Sequence, residues 1–188
     1  MNLPNLLAPT YSQMLGALSQ WLDKASAASG DAPDAIMAAR LADDMFPLST
    51  QVRFACVQAR EGMARLNGEA FPEEITVLLD EGRGAGENPG SIADAQARIA
   101  QTRAFLEGCD AGEGDAGADP ERPVAHERPN GMVFDLTMEQ YARDWALPQF
   151  YFHLMTAYAI LRAQGVDLGK ADYVQHMFAY LRPGTMPG

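Results

Sequence analysis

Apolar side chains recur at three- and four-residue steps in four separate segments of this 188-residue chain. The segments are about 10–28, 49–67, 91–108 and 137–165. This spacing places the apolar side chains on one face of an α-helix, and that face must be buried against other helices. The sequence therefore predicts an all-α protein built as a four-helix bundle.

Residues that start and end helices support this division. Ser91 with Asp94, and Thr137 with Gln140, have the three-residue spacing of a capping box at a helix start. Pro148 falls inside the last segment, where a missing backbone N–H should kink the helix or divide it into two pieces.

The connecting segments are more varied. Asp34 can cap a short helix over residues 34–45. Residues 68–90 are predicted to be irregular because Gly and Pro punctuate them, with residues 75–79 forming either a brief strand or a turn of helix. Pro129-Asn130-Gly131 is a turn sequence between two short extended runs and predicts a small β-hairpin before the last long helix.

The chain length favours a single domain over residues 1–188. Within it, residues 109–136 are predicted to form an insertion, an acidic Gly/Ala/Asp loop at 109–120 followed by the hairpin. A second acidic loop is expected at residues 82–90.

Charge and composition narrow the function by exclusion. The chain has 25 acidic and 14 basic residues, a net charge of −11 and no Lys/Arg cluster. Nucleic-acid and anionic membrane partners are therefore not expected, because both need a basic surface. The N-terminus lacks the charged and apolar regions of a signal peptide and no apolar run could span a bilayer, so a soluble, cytoplasmic protein is expected.

Three motifs carry a resemblance to a known family. They are DMFPLSTQ at residues 44–51, FYFHLMTAYAILR at 150–162 and GVDLGKADY at 165–173. With these motifs the chain resembles an uncharacterised bacterial domain-of-unknown-function family of the DinB/YfiT-like superfamily. The resemblance covers most of the chain and implies a DinB-like four-helix bundle, often assembled as a homodimer.

Relatives in that superfamily also suggest a metal site. Some hold a divalent metal with three histidines, one on the second helix and an HxxxH pair on the last, and act as thiol-dependent transferases or isomerases. Here His153 stands where the pair would begin, but Ala157 follows four residues later and the second helix has no histidine. The resemblance therefore supports the fold, and no metal cofactor is expected.

The remaining metal hypothesis is a mixed site, since Asp43 and Asp44 could add carboxylates to His153. Its alternative is that His153 is hydrogen-bonded inside the bundle. Ligand-pocket candidates are His153 with Tyr151 and Tyr158 on the last helix, and Lys170 as a cation for an anionic group.

Two functions follow from these alternatives. The first is a non-catalytic or small-ligand-binding homodimer that has lost the metal triad. The second is a divalent-metal-dependent enzyme, such as a thiol-dependent transferase, that uses His153 with carboxylates. No catalytic residue, substrate or small-molecule partner can be named from the sequence.

Overall fold

Four long helices form the bundle in a computed structural model that describes residues 3–110, 119–128 and 130–185. They are α1 (Leu3–Ala28), α2 (Leu48–Asn67), α4 (Ile92–Asp110) and α6 (Leu147–Ala163). Helix α1 packs on α4, α2 and α6, and α2 also packs on α4 and α6. The predicted all-α bundle is confirmed.

The core consists of the predicted apolar faces. Its bulkiest fully buried side chains include Trp21 and Tyr11 of α1, Phe150 of α6 and Met63 of α2. The rings of Tyr11 and Phe150 pack with their centroids 4.7 Å apart, which joins α1 to α6. Burial of these faces supplies the main favourable term in the free energy of folding.

Helix α1 begins earlier than predicted. The sequence places its start near Thr10, but the structure has Leu3 as the first helical residue and Pro9 inside the helix. Leu3 and Leu7 are buried and extend the apolar face by two turns. Packing of this extension outweighs the backbone hydrogen bond that Pro9 cannot donate.

Both predicted capping boxes are present. Ser91 Oγ accepts a hydrogen bond from the Asp94 amide at 3.0 Å, and an Asp94 carboxylate oxygen accepts one from the Ser91 amide at 2.9 Å. Thr137 and Gln140 make the same reciprocal pair, at 3.2 and 2.8 Å. These bonds satisfy amides that the first turn of a helix leaves unpaired.

A third helix lies where the sequence predicts an irregular segment. Helix α3 (Glu73–Gly84) packs on α2 and buries Ile75 and Leu78. The prediction for residues 68–90 is therefore wrong, and the predicted loop at 82–90 begins inside this helix. Glycine at position 82 permits the contact, because a Cβ atom there would overlap the ring of Phe54 on α2.

Asp34 does not cap a helix over residues 34–45. A 3-10 helix runs only from Pro33 to Ala38, and its preceding residue makes no side-chain capping bond. The Asp34 carboxylate instead accepts a hydrogen bond from the Ile92 amide at 2.8 Å, at the start of α4. The aspartate therefore stabilises a helix start distant in sequence.

The β-hairpin is confirmed. Strands β1 (Pro123–Glu127) and β2 (Val133–Thr137) pair antiparallel, with Pro123 opposite Thr137 and Glu127 opposite Val133. Arg122 anchors the hairpin to the bundle, since its guanidinium donates to the carbonyls of Arg65 and Leu66 at 2.8 and 2.7 Å. These carbonyls lie in the last turn of α2, where a helix has fewer amide donors than carbonyl acceptors. Residues 111–118 of the predicted acidic loop lie outside the described residues.

The chain remains helical through Pro148. Helix α5 (Met138–Gln140) leads into a π-helical stretch (Tyr141–Ala146), which continues directly into α6. Pro148 is the second residue of α6, but the residues before it are also helical, so its missing N–H interrupts the backbone hydrogen bonding of a continuous helix. The Leu147 amide donates to the Ala142 carbonyl, five residues back, so the predicted disturbance takes the form of a π-turn rather than a break.

The chain after α6 closes one end of the bundle. Gly165 adopts a positive φ of 84° at the end of α6, and Val166 and Leu168 are then buried. Helix α7 (Lys170–Tyr173) and a 3-10 helix (Gln175–Tyr180) follow and lie against α1. None of the helices in the described part of the chain has the length and apolar character that crossing a bilayer needs.

Candidate functional site

His153 contacts a glutamine from the second long helix. The side chain is half-buried on α6, and its Nδ1 lies 2.9 Å from Oε1 of Gln51 in the first turn of α2. Gln51 is 3% exposed. The predicted hydrogen bond of His153 inside the bundle is therefore present, and its partner is an amide.

The direction of this hydrogen bond fixes the protonation of the imidazole. Gln51 Nε2 donates to the Phe46 carbonyl at 3.2 Å, so the amide oxygen faces His153. An amide oxygen can only accept, and Nδ1 must therefore carry the proton. The neutral ring then has its lone pair on Nε2, which makes no hydrogen bond to a described residue and is not enclosed.

Burial also keeps the imidazole neutral. It lowers the pKa of His153 from the usual 6.5 to about 4. Desolvation disfavours the charged form of a histidine, and no carboxylate beside the ring offsets it. At neutral pH the site therefore offers an uncharged hydrogen-bond acceptor.

Two phenylalanine rings contact His153, and a third packs on one of them. Phe54 and Phe152 each meet the imidazole edge-on with centroids 5.3 Å apart, and Phe46 lies 5.9 Å from Phe54. Phe152 is 57% exposed beside the half-buried imidazole, and Phe46, which is 50% exposed, extends the aromatic surface beyond Phe54. We call Gln51, His153 and these three rings the His153 site.

The two aspartates of the mixed-metal hypothesis lie outside this arrangement. Asp43 and Asp44 are exposed in the turn before α2. The described residues include no group of three or more His, Cys, Asp or Glu side chains placed to hold a metal ion. Asp43, Asp44 and His153 are thus not grouped as metal ligands in this conformation.

A three-histidine metal site does not fit the residues present either. His153 faces Gln51 on α2, and the position four residues after it is the fully buried Ala157. An amide oxygen is a hard ligand and a weak substitute for imidazole at Zn²⁺ or Ni²⁺. We therefore derive no chemistry through a metal at this position.

The tyrosines predicted as pocket residues lie on another face of α6. The ring of Tyr158 packs edge-on against Trp21 of α1 at 5.3 Å, and Trp21 stacks on Tyr173 of α7 at 6.2 Å. Tyr151 is half-buried near Tyr173. Burial raises the pKa of Tyr151, and the electrostatic interaction with Tyr173 raises it further. These side chains face α1 and α7, whereas His153 faces α2.

Lys170 belongs to the α7 side. It is the first residue of α7 and is exposed. The four predicted pocket residues therefore do not form one pocket. Tyr151 and Tyr158 lie on the face of α6 towards α7, which contains Lys170, and His153 lies on the face towards α2.

A second buried imidazole lies under the hairpin. His126 of β1 is 5% exposed, and neither ring nitrogen has a hydrogen-bond partner among the described residues. The rings of Tyr141 and Trp145 pack against it at 5.5 and 4.4 Å. Burial, aided by the positive charges of Arg65 and Arg128, lowers the pKa of His126 to about 4.

Comparison with known proteins assigns the family. The family described as "Domain of unknown function (DUF1993)" matches residues 3–174. The chain belongs to this family. Among curated proteins no match was found.

A solved structure also resembles this chain. It is described as the crystal structure of a DinB family member protein from Shewanella denitrificans, and it shares 31% sequence identity with this chain. The superposition has a TM-score of 0.73 and covers 98% of this chain and 96% of the other. The fold and the membership of a DinB-like family of unknown function are therefore established.

Sequence reasoning missed Gln51 and the three phenylalanines of the His153 site. Gln51 ends the DMFPLSTQ motif, which carries the family resemblance, but no role follows from the motif alone. Its pairing with His153 joins residues 102 positions apart. No pattern along the chain selects Gln51, because its burial depends on how the helices pack.

Proposed function

We propose that this chain is a non-catalytic, small-ligand-binding bundle that acts without a metal, and that its ligand binds at the His153 site. The observation that carries the proposal is the hydrogen bond from His153 Nδ1 to Gln51 Oε1 at 2.9 Å. This bond leaves Nε2 as a neutral acceptor among aromatic rings, which is a common composition for a small-molecule site.

The chemistry of the site favours an uncharged ligand. The imidazole is neutral, its partner is an amide, and the surrounding side chains are phenylalanines. A planar apolar molecule with one hydrogen-bond donor would pack against the rings and donate to Nε2. A charged ligand would find no opposite charge at this site.

Binding of aromatic donors tests the proposal. Phenol and benzamide would be titrated into isotope-labelled protein and followed by NMR, through the His153 ring resonances of the wild type and the Gln51 side-chain amide resonances of every variant. His153→Phe keeps an aromatic ring but removes the acceptor, so affinity should fall by about 3- to 10-fold, the value of one neutral hydrogen bond. Tyr158→Phe is the matched control, since it removes a hydroxyl from the other face of α6 and should leave affinity unchanged.

The opposite pattern would refute the assignment. If Tyr158→Phe weakens binding and His153→Phe does not, the ligand binds on the α1 and α7 side. If neither probe produces a saturable shift at His153, the site does not bind aromatic donors.

Metal content separates this proposal from the enzyme alternative. Untagged protein purified without chelator would be analysed for transition metals. A metal-free protein is expected. About one ion per chain, lost in His153→Ala, would instead support a metal-dependent enzyme and make Asp43 and Asp44 the next residues to replace.

Assembly as a homodimer in the cytoplasm completes the proposal. It is supported by the fold family and by large apolar side chains that remain exposed, including Phe152 and Met155 on α6. Light scattering at micromolar concentration should give twice the mass of the 20.4 kDa chain. A monomer mass would refute it.

A further inference from the structure

A polar, partly open cavity lies along α1. It has a volume of about 410 Å³ and is bordered by α1, by Arg103 of α4 and by the 3-10 helix Gln175–Tyr180. Its polar lining includes Gln13, Gln20, Gln175 and His176, and none of the lining residues is acidic. In a chain of net charge −11, a cavity that combines a guanidinium with no carboxylate is unusual.

Arg103 is held in this cavity without a counter-ion. It forms no ion pair among the described residues, and its Nε is buried with no hydrogen-bond partner there. The guanidinium lies over Gly16 of α1, where a Cβ atom would be 3.7 Å from Cζ. A buried guanidinium donor is costly unless an acceptor satisfies it.

His176 places a second unsatisfied nitrogen in the same cavity. The residue is half-buried, and its Nδ1 is enclosed without a partner in the described part of the chain. It lies just beyond residues 3–174, which the family match covers. The cavity thus depends on the C-terminal segment of this chain as well as on the bundle.

Nearby carboxylates are engaged elsewhere. A second cavity of about 630 Å³ shares Gln20 and Gln175 with the first, and it contains Asp23 and Asp172. Asp23 accepts a hydrogen bond from Gln96 at 2.8 Å, and Asp172 pairs with Lys24 at 2.7 Å. Both carboxylates thus already have a hydrogen-bonding partner, and neither lines the cavity that contains Arg103.

Glu107 lies one turn along α4 from Arg103. It lines a separate cavity and makes no ion pair with the guanidinium.

The side chains of Ala171 and Phe178 line the second cavity and provide apolar surface beyond Gln20. The two cavities adjoin at Gln20 and Gln175, with the guanidinium of Arg103 in the first cavity and this apolar surface beside the paired carboxylates in the second.

We propose that these cavities bind a small organic anion, whose carboxylate or phosphate group accepts hydrogen bonds from Arg103 and His176. A guanidinium presents parallel N–H groups that match two oxygens of such a group. The amides of Gln13 and Gln175 supply further donors, and the apolar part of the ligand extends towards Phe178. The proposal concerns a different face of the bundle and does not rest on the His153 site.

Calorimetric titration of the full chain tests the proposal. Hexanoate, phenyl phosphate, inorganic phosphate and the uncharged hexanamide are the probes. We expect at least one organic anion to bind, and hexanamide to bind about tenfold more weakly than hexanoate or not at all. A preference for hexanoate identifies a carboxylate ligand, and a preference for phenyl phosphate identifies a phosphate ligand.

Variants assign the binding to the cavity. Arg103→Gln should weaken binding of the preferred anion by about 10- to 100-fold, since it removes a charge-assisted hydrogen bond. His176→Phe should weaken it by about threefold or more and provides a second measurement should Arg103→Gln not fold. Arg83→Gln is the matched control, because Arg83 is 59% exposed on α3 and its one ion pair among the described residues is with Asp80.

Four results would overturn the proposal. They are no saturable binding of any anion at millimolar concentration, equal binding of hexanoate and hexanamide, unchanged affinity in both cavity variants, and an equal loss of affinity in Arg83→Gln. The last would show a general charge effect rather than a site.

Discussion

Replacing His153 by alanine removes the hydrogen-bond donor to Gln51. The structure predicts a loss of stability at pH 7 and a smaller loss at acidic pH. Gln51 Oε1 is left in a side chain only 3% exposed, and water can reach it only through the half-buried space that the ring vacates. An unsatisfied buried acceptor costs about 1–3 kcal/mol. We therefore expect the free energy of unfolding at pH 7 to fall by about that amount.

The same substitution should cost less in acid. Burial lowers the pKa of His153 from 6.5 to about 4, so between these values the unfolded chain binds a proton that the folded chain does not. The contribution of His153 to the free energy of unfolding is therefore complete above pH 6.5 and declines as the pH falls towards 4. One pKa unit corresponds to about 1.4 kcal/mol, so at pH 5 the difference between wild type and variant should shrink by about 2 kcal/mol.

Urea unfolding followed by circular dichroism measures both effects. The free energy of unfolding would be determined at half-unit steps from pH 7.5 to 5 for wild type, His153→Ala and Met132→Ala. Met132 lies between the two hairpin strands, is 51% exposed and makes no side-chain hydrogen bond among the described residues, so its variant should lose less than about 1 kcal/mol, with no pH trend. The reasoning is refuted if His153→Ala costs less than about 0.5 kcal/mol at pH 7, or if its cost stays constant with pH.

Two other substitutions test charge and burial elsewhere in the bundle. His126→Phe replaces an enclosed ring without hydrogen-bond partners among the described residues, so at pH 7 the free energy of unfolding should rise by about 1–2 kcal/mol. A lower free energy of unfolding, measured in urea, would mean that His126 has a partner. For Glu81, burial alone would raise its pKa, but Arg98 and Arg53 lower it below the ordinary value. Glu81→Gln should therefore lower the free energy of unfolding by about 1.5–3 kcal/mol at pH 7. The loss should be smaller as the pH falls through the folded pKa of Glu81, because the wild-type carboxylate then also becomes neutral. An unchanged melting temperature at pH 7 would contradict this.

Local signals in the sequence were enough for most of the fold. Three kinds of signal affect only residues close to them in the sequence. They are the apolar spacing of the four long helices, the capping residues Ser91 and Thr137, and the turn at Asn130-Gly131. Their consequences could therefore be predicted without knowledge of any distant contact.

Helix α3 shows where local signals were misleading. Glycine and proline around residues 68–90 indicate a loop, yet Ile75 and Leu78 are buried against α2. The Thr50 hydroxyl donates to the Gly82 carbonyl at 2.7 Å, and the absent side chain of Gly82 makes room for Phe54. The glycine that argues against a helix in isolation is the residue that lets this helix pack.

The sequence by itself determined the helical class, the hairpin and the acidic, non-basic character of this protein, because periodicity, capping and net charge are properties of neighbouring residues or of composition. Only the tertiary structure decided which polar groups meet. Gln51 and His153 lie 102 residues apart, and Arg103 and His176 come from a long helix and the C-terminal segment. Their relative positions are set by how helices pack against one another, and helix packing depends on side-chain shape across the whole bundle rather than on spacing along the chain.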